Sequence, residues 1–226
     1  MQKDAGEVRK MINTQDQEEL FRLIADYLDN GLECTAIGGT AMMFHGYKNA
    51  TKDIDLVFSN EKDRNYFIKA IEKLGYKEKA LTDIYDEKRR KHAGKPKMFT
   101  RGEERFDLFL KNIFGFELKT AADSTVQRHD FIGKKELTVK TPGNEYLILL
   151  KAITGREKDM EDIEAIIKTE SSIDWELITD EAIAQRKNNG WIIYDLEKAM
   201  QQLKKITLIK KKYFDKLYKA EEKAGK

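Results

Sequence analysis

Two glycines and three acids carry the chemistry this chain can do. They are Gly38-Gly39-Thr40, Asp53-Ile54-Asp55, and Asp107 within Arg105-Phe106-Asp107-Leu108-Phe109. Each acid lies in an apolar, β-prone run. An ionised carboxylate among apolar neighbours is costly unless a cation compensates it. A divalent metal supplies that compensation, and a glycine turn that leaves backbone amides open seats phosphate.

Side chains alternate faces along a strand, so Asp53 and Asp55 project from one face, roughly 7 Å apart. Ile54 and Leu56 point the other way, into core. Asp107 has the same setting between Phe106 and Leu108. If the two strands are neighbours, three carboxylates meet at one place. Such a set holds two Mg²⁺ ions about 4 Å apart, the geometry of in-line phosphoryl transfer. One ion orients a nucleoside triphosphate, and the other lowers the pKa of an acceptor hydroxyl. Asp107 is then the acid nearest the attacking oxygen, as ligand or base. Plainer readings stand beside these: a solvent-facing alternating strand for Asp53 and Asp55, a salt bridge with Arg105 for Asp107, and an ordinary strand-to-helix turn for Gly38-Gly39.

The elements that must position these residues follow from periodicity. Helical spacing covers Gln17 to Leu28, with Asn30-Gly31 after it. A strand over 32–37 enters the glycines, a short helix runs over 40–45, and a strand over 52–58 carries the acid pair. Ser59 caps a helix over 61–74, and a strand begins at Tyr76. Met98 to Thr100 and Arg105 to Lys111 make a hairpin, as do Val126 to Ile132 and Glu136 to Val139. After Pro142-Gly143 the pattern is helical: 145–153, 159–167, 174–186, and one long helix from Tyr194 to about Lys219. The expected division is an α/β catalytic part over 1–141 and a helical part over 142–226. A net charge of +2 argues neither for nor against a polyanionic partner. The single cysteine, Cys34, excludes an internal disulfide and reads as a small buried residue. No secretory signal or bilayer-length apolar run is present, so a cytoplasmic protein with no membrane partner is expected.

The order Gly38-Gly39-Thr40, short helix, Asp53-Ile54-Asp55-Leu56, then Asp107 on a later strand resembles the nucleotidyltransferase superfamily typified by DNA polymerase beta. Residues 41–56 look closer still to small prokaryotic AbiEii-type and MenT-type nucleotidyltransferases. So does Pro142 to Asp162, with its lysine-bearing helix followed by Arg-x-Lys-Asp-x-x-Asp. The resemblance spans about residues 32–167. It implies an α+β fold: a mixed sheet flanked by helices, then an all-helical C-terminal part. It also implies Mg²⁺-dependent transfer of a nucleoside monophosphate from an NTP to a hydroxyl, with release of pyrophosphate. Asp53, Asp55 and Asp107 would bind metal. Gly38, Gly39 and Thr40 would hold the triphosphate; Lys52, Lys151, Arg156 and Lys158 would neutralise it, and Asp159 and Asp162 would anchor helices. Where relatives often carry an arginine, this chain has Asn49, flanked by Lys48. The acceptor would be tRNA, other RNA or a protein hydroxyl, with an antitoxin protein as partner. A small-molecule acceptor of the antibiotic type, or nucleotide binding without catalysis, is the alternative.

Other residues read more plainly. Lys151 also suits a stem covering apolar surface, and Arg156, Lys158, Asp159 and Asp162 suit helix-end charges. His45, His92 and His129 have no ligand spacing; His45 caps a helix end. The basic run Lys88-Arg89-Arg90-Lys91-His92, with Lys95 and Lys97, is either a charged loop or a grip on a nucleic-acid backbone. Trp175 and Trp191 read as helix-packing residues, and the lysines of the last helix as solvated.

Overall fold

A computed structural model describes residues 11–80, 94–118, 125–188 and 190–222. The basic run at 88–92 lies outside them. The chain forms β1 (Ile12–Asn13), α1 (Thr14–Tyr27), β2 (Leu32–Ile37), α2 (Gly38–Phe44), β3 (Ala50–Thr51), β4 (Ile54–Phe58) and α3 (Glu61–Lys73). Strands β5 (Lys77–Lys79), β6 (Lys97–Arg101), β7 (Glu104–Leu110), β8 (Asn112–Ile113), β9 (Phe116–Glu117), β10 (Gln127–Ile132) and β11 (Glu136–Thr141) follow. Helices α4 (Asn144–Thr154), α5 (Glu157–Thr169), α6 (Trp175–Gln185), α7 (Ile192–Leu203) and α8 (Lys211–Glu222) end the described chain. The fold is α+β: a mixed sheet flanked by helices, then helices alone.

Among the described residues the main sheet has nine strands, in the order β10-β11-β2-β4-β7-β6-β5, with β8 and β9 extending from β7. β4 runs antiparallel to β2 and parallel to β7. Its odd and even residues part as the alternation requires. Phe58 and Phe106 face α3, where Phe67 packs against them with ring centroids 5.3 and 5.6 Å away. Tyr76 adds an edge contact to Phe106 at 5.0 Å. The opposite face of β4 and β7 is left to the acids, with α4 and α5 standing over it.

Helix starts are set by side-chain caps. Asn13 Oδ1 accepts from the Asp16 amide at 2.9 Å, and Asp16 answers in a capping box. At α3 the cap is Asn60, accepting from the Asp63 amide at 2.9 Å, one residue later than the expected Ser59. Apolar residues surround α4, and Tyr146 to Ala152 are all buried, because it packs against α2, α5, α6 and α7 at once.

The expected long C-terminal helix is two helices. Residues 204–210 break it after Leu203, where Ile206, Thr207 and Ile209 crowd a helical backbone at χ1. The break turns Ile209 into the core while Leu208 stays exposed. Trp175 is buried as expected, but Trp191 is 53% exposed and meets only the edge of Tyr194 among described rings. The two-residue strands β1, β3, β8 and β9 are too short to leave a periodic trace.

Gln17, on the buried face of α1, has no hydrogen-bond partner for either amide atom among the described residues. A fully buried, unpaired amide carries its desolvation cost uncompensated. Gln17→Met, which keeps the volume, is expected to raise stability by about 1 kcal/mol, read as a higher urea midpoint at unchanged m-value.

Candidate active site

Asp55 and Asp107 are register partners on the parallel pair β4–β7, so both project from the same face of the sheet. Asp53, two residues before Asp55, joins them. Three like charges at one place require an answer, and among the described residues Arg105 gives it. It lies two residues before Asp107 on β7, hence on the same face. Its Nε donates to Asp107 Oδ1 at 2.9 Å and Nη2 to Oδ2 at 2.6 Å, a bidentate fork. Nη2 also stands 3.5 Å from Asp53 Oδ2. Arg105 and Asp107 are both buried, Asp107 to 1% exposure. The salt bridge read as the plain alternative for Asp107 therefore exists, but it lies within the acid cluster and reaches Asp53 as well.

Asp55 shows the strain that remains. Burial, then the charges of Asp107 and Asp53, push its carboxyl up to about 7, against the pull of Arg105 and Arg156. The donor chemistry, three carboxylates and no nitrogen or sulfur, fits a hard cation such as Mg²⁺. As the side chains stand, no three acids among the described residues close into a metal cage, and Arg105 fills the intervening space.

The glycines are required by close approach. Gly38 has φ +58°, and a Cβ there would fall 2.5 Å from Asp55 Oδ2. A Cβ on Gly39 would fall 2.2 Å from Thr51 Oγ1. Both line the pocket beside the acids. Thr40, expected to touch phosphate, is fully buried instead. Its hydroxyl accepts from the Asp55 amide at 3.0 Å and donates to the Asp53 carbonyl at 3.5 Å. It pins the acid-bearing segment to α2.

The second wall comes from α4 and α5. Lys151 is buried, and its ammonium sits 2.5 Å from Asp162 Oδ2 and 3.6 Å from Asp159 Oδ1. Arg156 holds Asp159 through Nε at 2.7 Å and Nη2 at 3.0 Å. Burial works to raise both acids, but ion pairs and hydrogen bonds outweigh it and hold them below the usual carboxylate range. Lys52, Arg156 and Lys158 line the pocket, and burial with the neighbouring Arg156 charge lowers the Lys158 ammonium.

A short segment ties the walls together. His45 Nε2 donates to the Pro142 carbonyl at 2.9 Å, so this histidine reaches across the fold and does more than cap its own helix. The Tyr47 hydroxyl donates its one proton to Glu170 and lies 2.8 Å from Asn144 Oδ1. Lys48, missed as a functional residue, pairs with Asp162 at 3.0 Å. The pocket between the walls has a volume of about 290 Å³. Its remaining end is apolar, formed by Phe109, Ile113, Phe114, Leu147 and Leu150. Phe109 could have been found from the sequence, since it follows Asp107 by the same two-residue step.

The strand order thus brings Asp53, Asp55 and Asp107 together on one face of a mixed sheet, beside the Gly38 turn. The chain belongs to the family described as nucleotidyl transferase of unknown function (DUF2204), whose model matches residues 16–190. It is therefore a nucleotidyltransferase. Among solved structures, ANT(2")-Ia in complex with adenylyl-2"-tobramycin is similar at 16% identity and TM-score 0.47, over 76% of this chain and 97% of that one. No curated protein matches the chain. Among the described residues no helix is long and apolar enough to cross a membrane.

Two outcomes follow from the charge balance. Arg105→Met removes the cation from a buried pair and is expected to cost about 3–5 kcal/mol in urea unfolding with EDTA, part of it recovered with Mg²⁺. The raised Asp55 pKa means that the folded metal-free protein holds a proton there that the unfolded chain has already lost. Stability in EDTA should therefore fall as pH rises from about 4 towards 7. Asp55→Asn should flatten that slope and melt above the parent at pH 8, by about 2 °C or more.

Proposed function

We propose that this protein is a Mg²⁺-dependent enzyme that moves a nucleoside monophosphate from an NTP to a hydroxyl and releases pyrophosphate. The observation that carries the reading is the pairing of Asp55 with Asp107 on one sheet face, with the Gly38 backbone pressed against Asp55. Asp53, Asp55 and Asp107 would hold the metal, which when bound shields triphosphate charge and acidifies the acceptor hydroxyl. Gly38 and Gly39 let the backbone at the start of α2 come close against the acid-bearing segment, and its amides would receive phosphate there. Lys52, Arg156 and Lys158 face that phosphate as compensating cations. Thr40 and Lys151 act at one remove: Thr40 fixes the acid-bearing segment, and Lys151 fixes α5 through Asp159 and Asp162. Arg105 keeps Asp107 oriented and its charge compensated. Asp107 retains lone pairs beyond those given to Arg105, enough to take the hydroxyl proton.

The resemblance to toxin-type nucleotidyltransferases supports RNA or protein as acceptor, and an antitoxin protein as partner, in a cytoplasmic setting. Asp53→Asn and Asp55→Asn are each expected to lower NTP-dependent pyrophosphate release by at least ~100-fold, the scale of losing one electrostatic stabiliser. Circular dichroism should remain that of the folded parent. Turnover unchanged in both variants rejects the reading.

A further inference from the structure

The pocket has two chemically different ends, and their places in the sheet separate their tasks. Gly38 follows β2, on one side of β4; Phe109 belongs to β7, Ile113 to β8 and Phe114 to the turn after it, on the other side. In an in-line displacement the attacking and leaving oxygens lie on opposite sides of the phosphorus. With the α-phosphorus over the β4 acids and the pyrophosphate towards Gly38 and Gly39, the attacking hydroxyl arrives from the Asp107 side. Its carrier then rests on Phe109, Phe114 and the α4 residues Leu147 and Leu150. This argument rests on the function proposed above and goes on to the chemistry of the acceptor.

That end is apolar. Phe109 and Phe114 meet edge to face at 5.7 Å. Phe114 is held at φ +51°, a left-handed conformation that a bulky residue adopts only where its surroundings impose it. Of the other acids that line the pocket, Asp107 is paired with Arg105, Asp159 and Asp162 are paired with Lys151, Arg156 and Lys48, and Asp53 and Asp55 are the acids that the proposed function gives to the metal. Among the described residues, the apolar end offers a polycationic acceptor no carboxylate but Asp107, which Arg105 already pairs. The whole pocket, at about 290 Å³, sits at the lower bound of small-molecule sites and must also admit phosphate.

We propose that the Phe109–Phe114 end seats the acceptor and selects a hydroxyl carried on a single uncharged ring system, as in a nucleoside or a phenol. The hydroxyl oxygen bonds to the α-phosphorus, the bond from that phosphorus to the oxygen bridging to the β-phosphorus breaks, pyrophosphate leaves, and the proton passes to Asp107.

The test uses the full chain with Mg²⁺ and a nonhydrolysable ATP analogue. Cytidine, N-acetyl-tyrosinamide and the polycationic aminosugar kanamycin serve as probes, followed by saturation-transfer NMR. Binding of cytidine or the tyrosine amide to the analogue-loaded protein, with none of kanamycin, is the expected result, and which of the two binds tells nucleoside from phenol. Phe114→Gly, which suits the left-handed backbone, and Ile113→Ala should each weaken that binding by about 10-fold or more. The melting shift produced by Mg²⁺ and the analogue should persist in both. Displacement of the ring probes by the analogue, binding of kanamycin alone, or no probe binding overturns this inference while leaving the transferase reading intact. Absence of a shift with this analogue and with those of GTP, CTP and UTP overturns the Mg²⁺–NTP reading proposed above instead.

Discussion

Everything in this structure is arranged around three carboxylates on one face of a sheet, which repel one another and are largely removed from water. Such a group is unstable without positive charge, and among the described residues the Arg105 guanidinium pairs with it directly. Arg105 is placed by the same alternation that places Asp107, two residues away on β7, so the cation arrives on the right face without a separate device. The balance is incomplete, as the raised carboxyl of Asp55 shows. The imbalance leaves that face of the sheet with negative charge that the surrounding side chains do not fully neutralise.

The second wall solves a related problem differently. Asp159 is also a buried acid and Asp162 a partly buried one, yet Lys151, Arg156, Lys48 and Thr154 satisfy them from several directions. There burial yields order, and the acids are depressed below the ordinary carboxylate range. The two acid groups across one pocket thus have opposite electrostatic states. One is crowded and partly compensated, and the other is paired.

Much of this was legible from residue order. Asp53, Asp55 and Asp107 were recognisable because acids are rare in runs such as Ile54-Asp55-Leu56-Val57-Phe58, and strand alternation placed them on one face. Their convergence needed the β4–β7 pairing, which no local pattern encodes. The sheet core and α1, α3 and α4 followed from periodicity. Thr40 and Lys151 were readable as polar residues near the site, but which way a short hydroxyl or a long ammonium turns depends on neighbours distant in sequence. Thr40 turns to the Asp55 backbone, 15 residues on, and Lys151 to α5. The break after Leu203 was hidden because Ile206 and Phe214 fit a helical register whether or not the helix is continuous. Trp191 misled for the opposite reason: a large apolar residue predicts core, and this one lies at a helix start facing out.

The segment between α2 and β3 has a consequence for how the protein is made. His45, Tyr47 and Lys48 are anchored on Pro142, Asn144, Glu170 and Asp162, and β2 pairs in parallel with β11. The neighbourhood of the acids is therefore completed by residues about a hundred positions downstream. A growing chain on the ribosome that has passed Asp55, or even Asp107, still lacks the strand that flanks β2 and the helices that clamp the loop into β4. The pocket closes only when α5 has emerged. A nucleotidyltransferase built this way has no complete pocket until most of its chain has been made.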